Sequence, residues 1–542
     1  MPLRTFTTLM LAGTVLWFLG ACDSNISGEL LDNLAPNTEL SVRDSSLVEN
    51  LEGADRFAST VRVAWSGVDS DGYVVGFEIR VYDETQLGSI PPENGWSAQT
   101  TSLDSLVLLP IPTGESAANV VFEARAIDNA GLKDPSPART IFPIQNSPPV
   151  LRLSTFDIPP DETFTVFSFG WSVFDPEGDV TIDRIEVSLN DSTNFVSLPG
   201  GTRFATFLGE PSEPGQSSTD ARVYTGRGFV KTDVFVPGLL LNAENVFYIR
   251  AADQTDTTSA TVTYEWDVKQ PNGKVLFVND YRKAFAPIQQ DFHMDMLREY
   301  LPEGTDVDIF NISEPFLSGN TSTGVLSDAM PASANPTLEQ TYLLFDYIYW
   351  ISTGVTATAN GSNLAFSAPA LNSFFAKGGK FIIHAPVQIP TDPAEFLTNP
   401  AISLLPLTNV VSFDDSLRPS LRLPNGGQVR PLGPVPGVGV PLPTLTANRL
   451  IISTLPYIVE GSIVPLYEAD YTYITRSGGR QGPWTGSSTV ASISGDQRVG
   501  LIAIPFAAET DASIQFDGAD GSRRAVIDAT HLVLESLGFP KR

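Results

Sequence analysis

Val61-Arg62-Val63-Ala64-Trp65, then Gly67-Val68-Asp69-Ser70-Asp71-Gly72, then Gly76-Phe77-Glu78-Ile79-Arg80-Val81, is the stretch on which the fold turns. Apolar residues alternate with polar ones on both sides of a Gly/Asp/Ser turn, which is the pattern of two half-buried antiparallel strands. The same order returns about a hundred residues later. Phe167-Ser168-Phe169-Gly170-Trp171 leads to Phe174-Asp175-Pro176-Glu177-Gly178-Asp179 and on to Arg184-Ile185-Glu186-Val187. In both copies the Trp precedes the first Asp by four residues. Each copy closes on Phe-x-x-Arg-Ala-x-Asp, from Phe122 to Asp128 and from Phe247 to Asp253. The Trp-to-Arg distance is 60 residues in the first copy (65 to 125) and 79 in the second (171 to 250). The Gly/Pro/Ser-rich stretch 209–219 reads as the surface loop that holds most of the excess.

This repeat predicts two all-β sandwiches, over 46–146 and 147–271, joined at Asn146-Ser147-Pro148-Pro149-Val150. The two copies resemble fibronectin type III or immunoglobulin-like modules of bacterial surface proteins, which implies a core Trp on an early strand and a core aromatic on a late one. Cys22 is the only cysteine, so no disulfide spans either sandwich and apolar packing must hold each.

From Gly273 the period changes. Val275-Leu276-Phe277-Val278 is a short buried strand, 287–301 has helical spacing at Ile288, Phe292, Met296 and Leu297, and Val307-Asp308-Ile309-Phe310 is the next strand. Further strands are expected within 343–350, at 380–384 and at 498–506, with helices near 368–376 and 523–537. Strand–helix alternation predicts a flavodoxin-like α/β domain over 272–542, with a parallel sheet between helices. A Pro/Gly/Thr-rich stretch at about 400–495 reads as a β-rich insertion or an irregular cap.

The run Phe374-Phe375-Ala376-Lys377-Gly378-Gly379-Lys380-Phe381-Ile382-Ile383-His384-Ala385 resembles a segment of the class I glutamine amidotransferase-like superfamily, in its trehalose-utilisation-type branch. That resemblance implies a catalytic Cys on the turn after the strand. Here the turn is His384-Ala385-Pro386, with no thiol and no Ser elbow, so no catalytic residue is assigned. Asp280 and His384 both end strands, where open α/β sheets bind ligands, and they are the expected polar pocket. His293 and His531 fall within helices and read as packed or surface residues.

The amino terminus has one basic residue, Arg4, an apolar run over 9–19, and Leu19-Gly20-Ala21-Cys22. The run is shorter than the roughly 20 residues of a spanning helix, and the whole reads as an export signal. Its ending resembles the lipobox of bacterial lipoproteins, which implies cleavage after residue 21 and lipid on Cys22. Residues 22–45 then read as a tether. The expected location is the cell envelope, at the outer membrane or cell surface rather than the inner membrane.

Formal net charge is −29, with 25 Arg among 33 basic residues. Such a field argues against nucleic acid as a partner and leaves an envelope protein or polysaccharide. Asp69, Asp71 and Asp128 in the first module, and Asp175, Glu177, Asp179 and Asp253 in the second, present carboxylates at turns. Calcium takes six to eight oxygens, so these are candidate ligands, although Asp-Gly and Pro-Glu-Gly are also ordinary capping turns. No other cofactor is expected. Two functions remain open: a binding or structural lipoprotein with a non-catalytic α/β domain, or a hydrolase acting on carbohydrate or cell-wall polymer through that domain.

Overall fold

The computed structural model describes residues 32–42, 57–112, 115–211, 213, 215–281, 284–312, 329–331, 336–355, 363–388, 398–411, 420–475 and 481–542. The chain divides into two compact units, Met1–Ser147 and Pro148–Arg542. Cys22, the export signal and most of the tether lie outside the described residues. Among the described residues no helix is long and apolar enough to cross a membrane.

The first unit holds a sandwich of two antiparallel-rich sheets. One has Thr60–Val68 between Asn37–Val42 and Asp104–Leu108; the other runs Phe57–Ala58, Ala138–Gln145, Ala117–Asp128, Val74–Asp83. Inward residues of both sheets, among them Val61, Val63, Trp65, Phe77, Phe122 and Phe142, form one buried cluster. The strand Asn37–Val42 corrects the tether expectation. It pairs along Thr60–Val68, from Asn37 against Val68 to Val42 against Val63. Buried Thr38 fixes it: its N–H donates to Asp134 Oδ2 (2.8 Å), and its hydroxyl accepts from the N–H of Ala126 (2.8 Å).

The second sandwich has two five-stranded sheets. In one, Val166–Phe174 lies between Val150–Leu153 and Phe204–Gly209, and the sheet continues through Ser218–Thr225 to Val230–Leu240. In the other, Ile182–Leu189 and Ala243–Asp253 are central. The 19 extra residues between Trp and Arg (79 − 60) are therefore not loop. They build the hairpin of Ser218–Thr225 and Val230–Leu240, whose pairing slips twice, between Thr219 and Ala221 and between Arg222 and Tyr224. Such bulges break the two-residue alternation that marks a strand in sequence.

The two sandwiches repeat each other at the level of single bonds. The Trp65 indole donates to Ser102 O and its backbone N–H to Leu103 O; Trp171 does the same to Thr202 O and Arg203 O. Both indole bonds are 2.8 Å. Glu78 stands opposite Arg125 and bonds it, as Glu186 does Arg250. The Phe of each closing motif, Phe122 and Phe247, is fully buried. Equivalent bonds from equivalent positions show that the shared spacing encodes a shared core.

The rest of the chain forms a sheet whose parallel part has the order Val307–Asn311, Val275–Asp280, Tyr347–Ser352, Lys380–His384, Val499–Ile502. In chain order this is 2-1-3-4-5, a doubly wound arrangement with its switch point between the first and third strands. Helices Ala286–Tyr300 and Arg524–Leu537 pack on one face. Pro336–Leu343 and Asn363–Lys377 pack on the other. Gly538, at φ 79°, takes the left-handed conformation that closes the last helix. The segment at 400–495 is no separate cap. Its strands Thr489–Ile493, Val464–Ala469, Gln428–Pro431 and Leu445–Ala447 continue the same sheet antiparallel, joined at Val499–Ile502.

The second sandwich is fused to this sheet. Phe164 leaves the sandwich core to pack on Phe345 and Phe310, at ring separations of 5.1 and 6.2 Å. Thr337 donates to Ser168 (2.7 Å), and Lys269 donates to Ile309 O (2.9 Å).

Candidate functional site

Asp280 and His384 both reach the carboxyl edge of the parallel sheet, but not one pocket. Strand pairing sets Asp280 level with Ser352, and His384 level with Ile351. Adjacent residues of a strand point to opposite faces, so the two side chains lie on opposite sides of the sheet. The expected shared pocket is corrected on this ground.

On one face, Asp280 is buried; Asn363 donates to Oδ1 (2.7 Å) and the Trp350 indole to Oδ2 (3.3 Å). Burial pushes its carboxyl up to about 7, opposed by the bonds from Asn363, Ser352 and Trp350. A group poised there can exchange a proton near neutrality, yet both its oxygens are already engaged.

On the other face, His384 sits in an aromatic stack. Phe277 lies on Tyr349 (5.5 Å, 12°) and Tyr349 on His384 (5.1 Å, 19°), three neighbouring strands contributing one ring each. Helix Ala286–Tyr300 brings His293 edge-on at 4.8 Å, and Phe506 closes the far side at 5.9 Å. His293 Nδ1 and the Tyr349 hydroxyl are 2.9 Å apart. His384 Nε2 is buried and has no hydrogen-bond partner among the described residues. It borders a cavity of about 20 Å³, also lined by Tyr281, Gln289, His293 and Ser352, enough for roughly one water. Burial lowers His293 to about 3. Burial, and then His293, hold His384 well below the ordinary histidine range. Both imidazoles are thus neutral at physiological pH.

The turn after His384 lacks the parts of an acyl-transfer elbow. An oxyanion hole needs free N–H groups. The Ala385 N–H donates to Ile502 O (3.2 Å), and Pro386 has none. His293, expected to be a packed or surface residue, is buried beside His384. It follows Gln289 by four positions on the buried stripe of its helix, and that spacing is the signal that places it over the sheet. His531 bonds Met296 O (2.9 Å) and packs helix on helix.

Asp71, Asp128, Asp175 and Asp253 each use an oxygen to cap a backbone N–H. Asp128 Oδ1 accepts from Ala130 and Leu132 N–H (2.8 Å each), Asn33 bonds its other oxygen, and Asp71 accepts from Leu34 N–H (3.0 Å). Asp253 Oδ1 accepts from Thr255 and Thr257 N–H, and Asp175 Oδ1 from Glu177 N–H. Asp179 opens a short 3-10 turn. A Cβ at Gly72 would meet the side-chain oxygens of Asp69 and Asn129, which would have to move aside. Burial and neighbouring Asp71 raise the Asp69 carboxyl, and burial with Glu177 pushes Asp175 up to about 7. Among the described residues no three His, Cys, Asp or Glu converge on a metal-sized point. Both oxygens of Asp69 and Oδ2 of Asp175 are buried with no hydrogen-bond partner among the described residues, so backbone capping accounts for only part of these turns, and calcium there stays an expectation from the sequence.

No family model matches the chain, and no curated protein matches it. Among solved structures, the fibronectin(III)-like modules of Clostridium thermocellum CbhA are similar at 13% identity and TM-score 0.15, over 43% of this chain and 95% of that one. The chicken interferon gamma receptor alpha chain is similar at 12% and 0.19, over 38% and 92%. The FN1–FN3 domains of chicken CNTN1 are similar at 10% and 0.14, over 43% and 97%. At such TM-scores these likenesses carry no argument, and the sandwiches rest on their own strand pairing.

Proposed function

We propose that the chain is a lipid-anchored protein of the bacterial cell envelope. Its export signal ends at residue 21, Cys22 carries the lipid, and the outer membrane or cell surface holds it. Its sandwiches, read as fibronectin type III-like modules, and its amidotransferase-like α/β domain serve binding or structure rather than turnover. The observation that supports this is the turn at His384-Ala385-Pro386, where an imidazole replaces the thiol and neither following residue has an N–H to give an oxyanion. A glutamyl thioester needs both.

The test has two arms. Cys22→Ser should move the protein from the membrane fraction to the soluble one; retention in washed membranes overturns the anchor. Purified mature chain should release no ammonia from glutamine, and glutaminase activity lost in His384→Ala overturns the non-catalytic reading. A hydrolase reading draws on Asp280, whose carboxyl titrates near neutrality at the switch point. It requires a second carboxylate about 5–9.5 Å away across a cleft, and measurable release of sugar from a cell-wall polymer would favour it.

A further inference from the structure

The second sandwich carries a positive groove on an acidic body. Residues 148–271 hold 18 acidic and 8 basic residues. Three of those eight, Arg152, Arg203 and Arg227, line one open groove of about 570 Å³, with Asp157 as its only carboxylate. Arg227 donates to both oxygens of Asp157 (2.8 Å each) and covers the Phe204 ring at 4.7 Å, so this pair is neutral and fixed. Arg203 donates only to the carbonyls of Gly200 and Thr202 (2.6 and 3.0 Å). Among the described residues it has no ion pair. Arg152 stands exposed beside Ser172 on the neighbouring strand, and among the described residues it has no ion pair. Elsewhere in the same sandwich Arg184, Arg250 and Lys269 have carboxylate partners, whereas Arg222 donates to Thr232 O and covers the Phe235 ring, and what distinguishes Arg152 and Arg203 is that both line one groove. Two guanidiniums without a carboxylate partner thus share one groove.

We propose that this groove binds a short acidic saccharide, its carboxylate held by Arg152 and Arg203. Guanidinium presents a planar fork that fits a carboxylate with two parallel bonds. The volume falls among small-ligand sites, roughly 300–1,000 Å³, and suits a short saccharide. The protein's net charge of −29 repels an extended polyanion, whereas a short one reaching the groove meets positive charge within a Debye length of about 8 Å. Ser154, Thr155 and Ser172 supply hydroxyls along the wall, matching sugar hydroxyls. Phe156, 74% exposed between two lining residues, offers a bare ring on which a sugar's C–H face can lie.

This deepens the binding role proposed above by naming a ligand class, but it does not depend on the anchor. The experiment uses the full mature chain with Cys22→Ser in solution, so its outcome is independent of membrane attachment. Titration calorimetry compares trigalacturonate, maltotriose and inorganic phosphate. Trigalacturonate should bind, maltotriose should bind at least about tenfold more weakly, and raising the salt should weaken the acidic ligand alone. Arg152→Glu should abolish binding and Arg152→Gln weaken it about tenfold, with unchanged thermal stability because Arg152 is exposed. Four results overturn the proposal: no binding of trigalacturonate, equal binding of maltotriose, equal binding of phosphate, or binding untouched by Arg152→Glu.

Discussion

His384→Phe is expected to stabilise the protein, and more so in acid. His384 is 6% exposed, and its buried Nε2 has no partner among the described residues. An unsatisfied buried polar atom costs about 1–3 kcal/mol. Its neighbours Tyr349, Phe277 and Phe506 are aromatic, and the cavity beside it gives a slightly larger ring some room. We therefore expect a gain of about 1 kcal/mol near pH 7.5 after some packing strain. The second part is linkage. The folded histidine is held well below its unfolded pKa of about 6.5, so the native state binds fewer protons. Its contribution is fully present above about pH 6.5 and is lost as pH falls. At about pH 5 the unfolded imidazole gains a proton that the folded one refuses, costing wild type about 2 kcal/mol that the Phe variant escapes. His293, Asp280 and Asp175 also titrate, but they remain in both proteins and cancel in the difference. Urea unfolding of wild type and variant at the two pH values measures it, given equal m-values. The advantage should grow from about 1 to about 3 kcal/mol. An advantage that stays constant with pH would refute the neutral, buried imidazole.

Three further outcomes follow from the geometry. Trp65→Ala and Trp171→Ala should each cost about 3–5 kcal/mol, because both indoles are buried and bonded alike; thermal unfolding checks this, and a near-neutral variant at either site would break the equivalence of the two cores. Asp175→Asn should raise stability by about 1–2 kcal/mol near neutral pH and by less near pH 4, since the folded carboxyl titrates at about 7 and loses stability as pH rises towards it. A variant that is instead weaker, and only in millimolar calcium, would place a cation at that turn. Phe164→Ala should cost about 3–4 kcal/mol despite lying in the sandwich's sequence, because its ring completes the α/β core; a loss under 1 kcal/mol in urea unfolding would count against it.

How much of this was legible depends on how far local pattern and tertiary demand agree. Strands such as Val74–Asp83 and Ala117–Asp128 are long and bounded by turns, so the sandwiches were readable. Helices Ala286–Tyr300 and Arg524–Leu537 were readable from spacing, although Ile288, expected inside, is 42% exposed while polar Gln289 and His293 are buried. The hairpin from Ser218 to Leu240 was missed because its bulges shift side chains from one face to the other. Helix Pro336–Leu343 has only eight residues and three threonine or proline positions, too little for a period to show. The sheet extension was hidden for another reason: strands of two to six residues between Pro and Gly gain their identity from the partner they pair with. At the site, residue types were readable but faces were not. Whether Asp280 and His384 meet depends on one residue of register, which no single strand reveals.

Phe164 also bears on how the molecule answers a mechanical load. A covalent linker between domains normally yields first, extending at little force before either domain opens. Here the second sandwich lends a ring to its neighbour's core, and Lys269 and Thr337 stitch the same seam. The strand Val262–Val268 is followed within seven residues by Val275–Asp280, leaving almost no slack. Pulled between residues 148 and 542, this part of the chain should rupture in one step, at the force of the tougher component, instead of paying out chain in two.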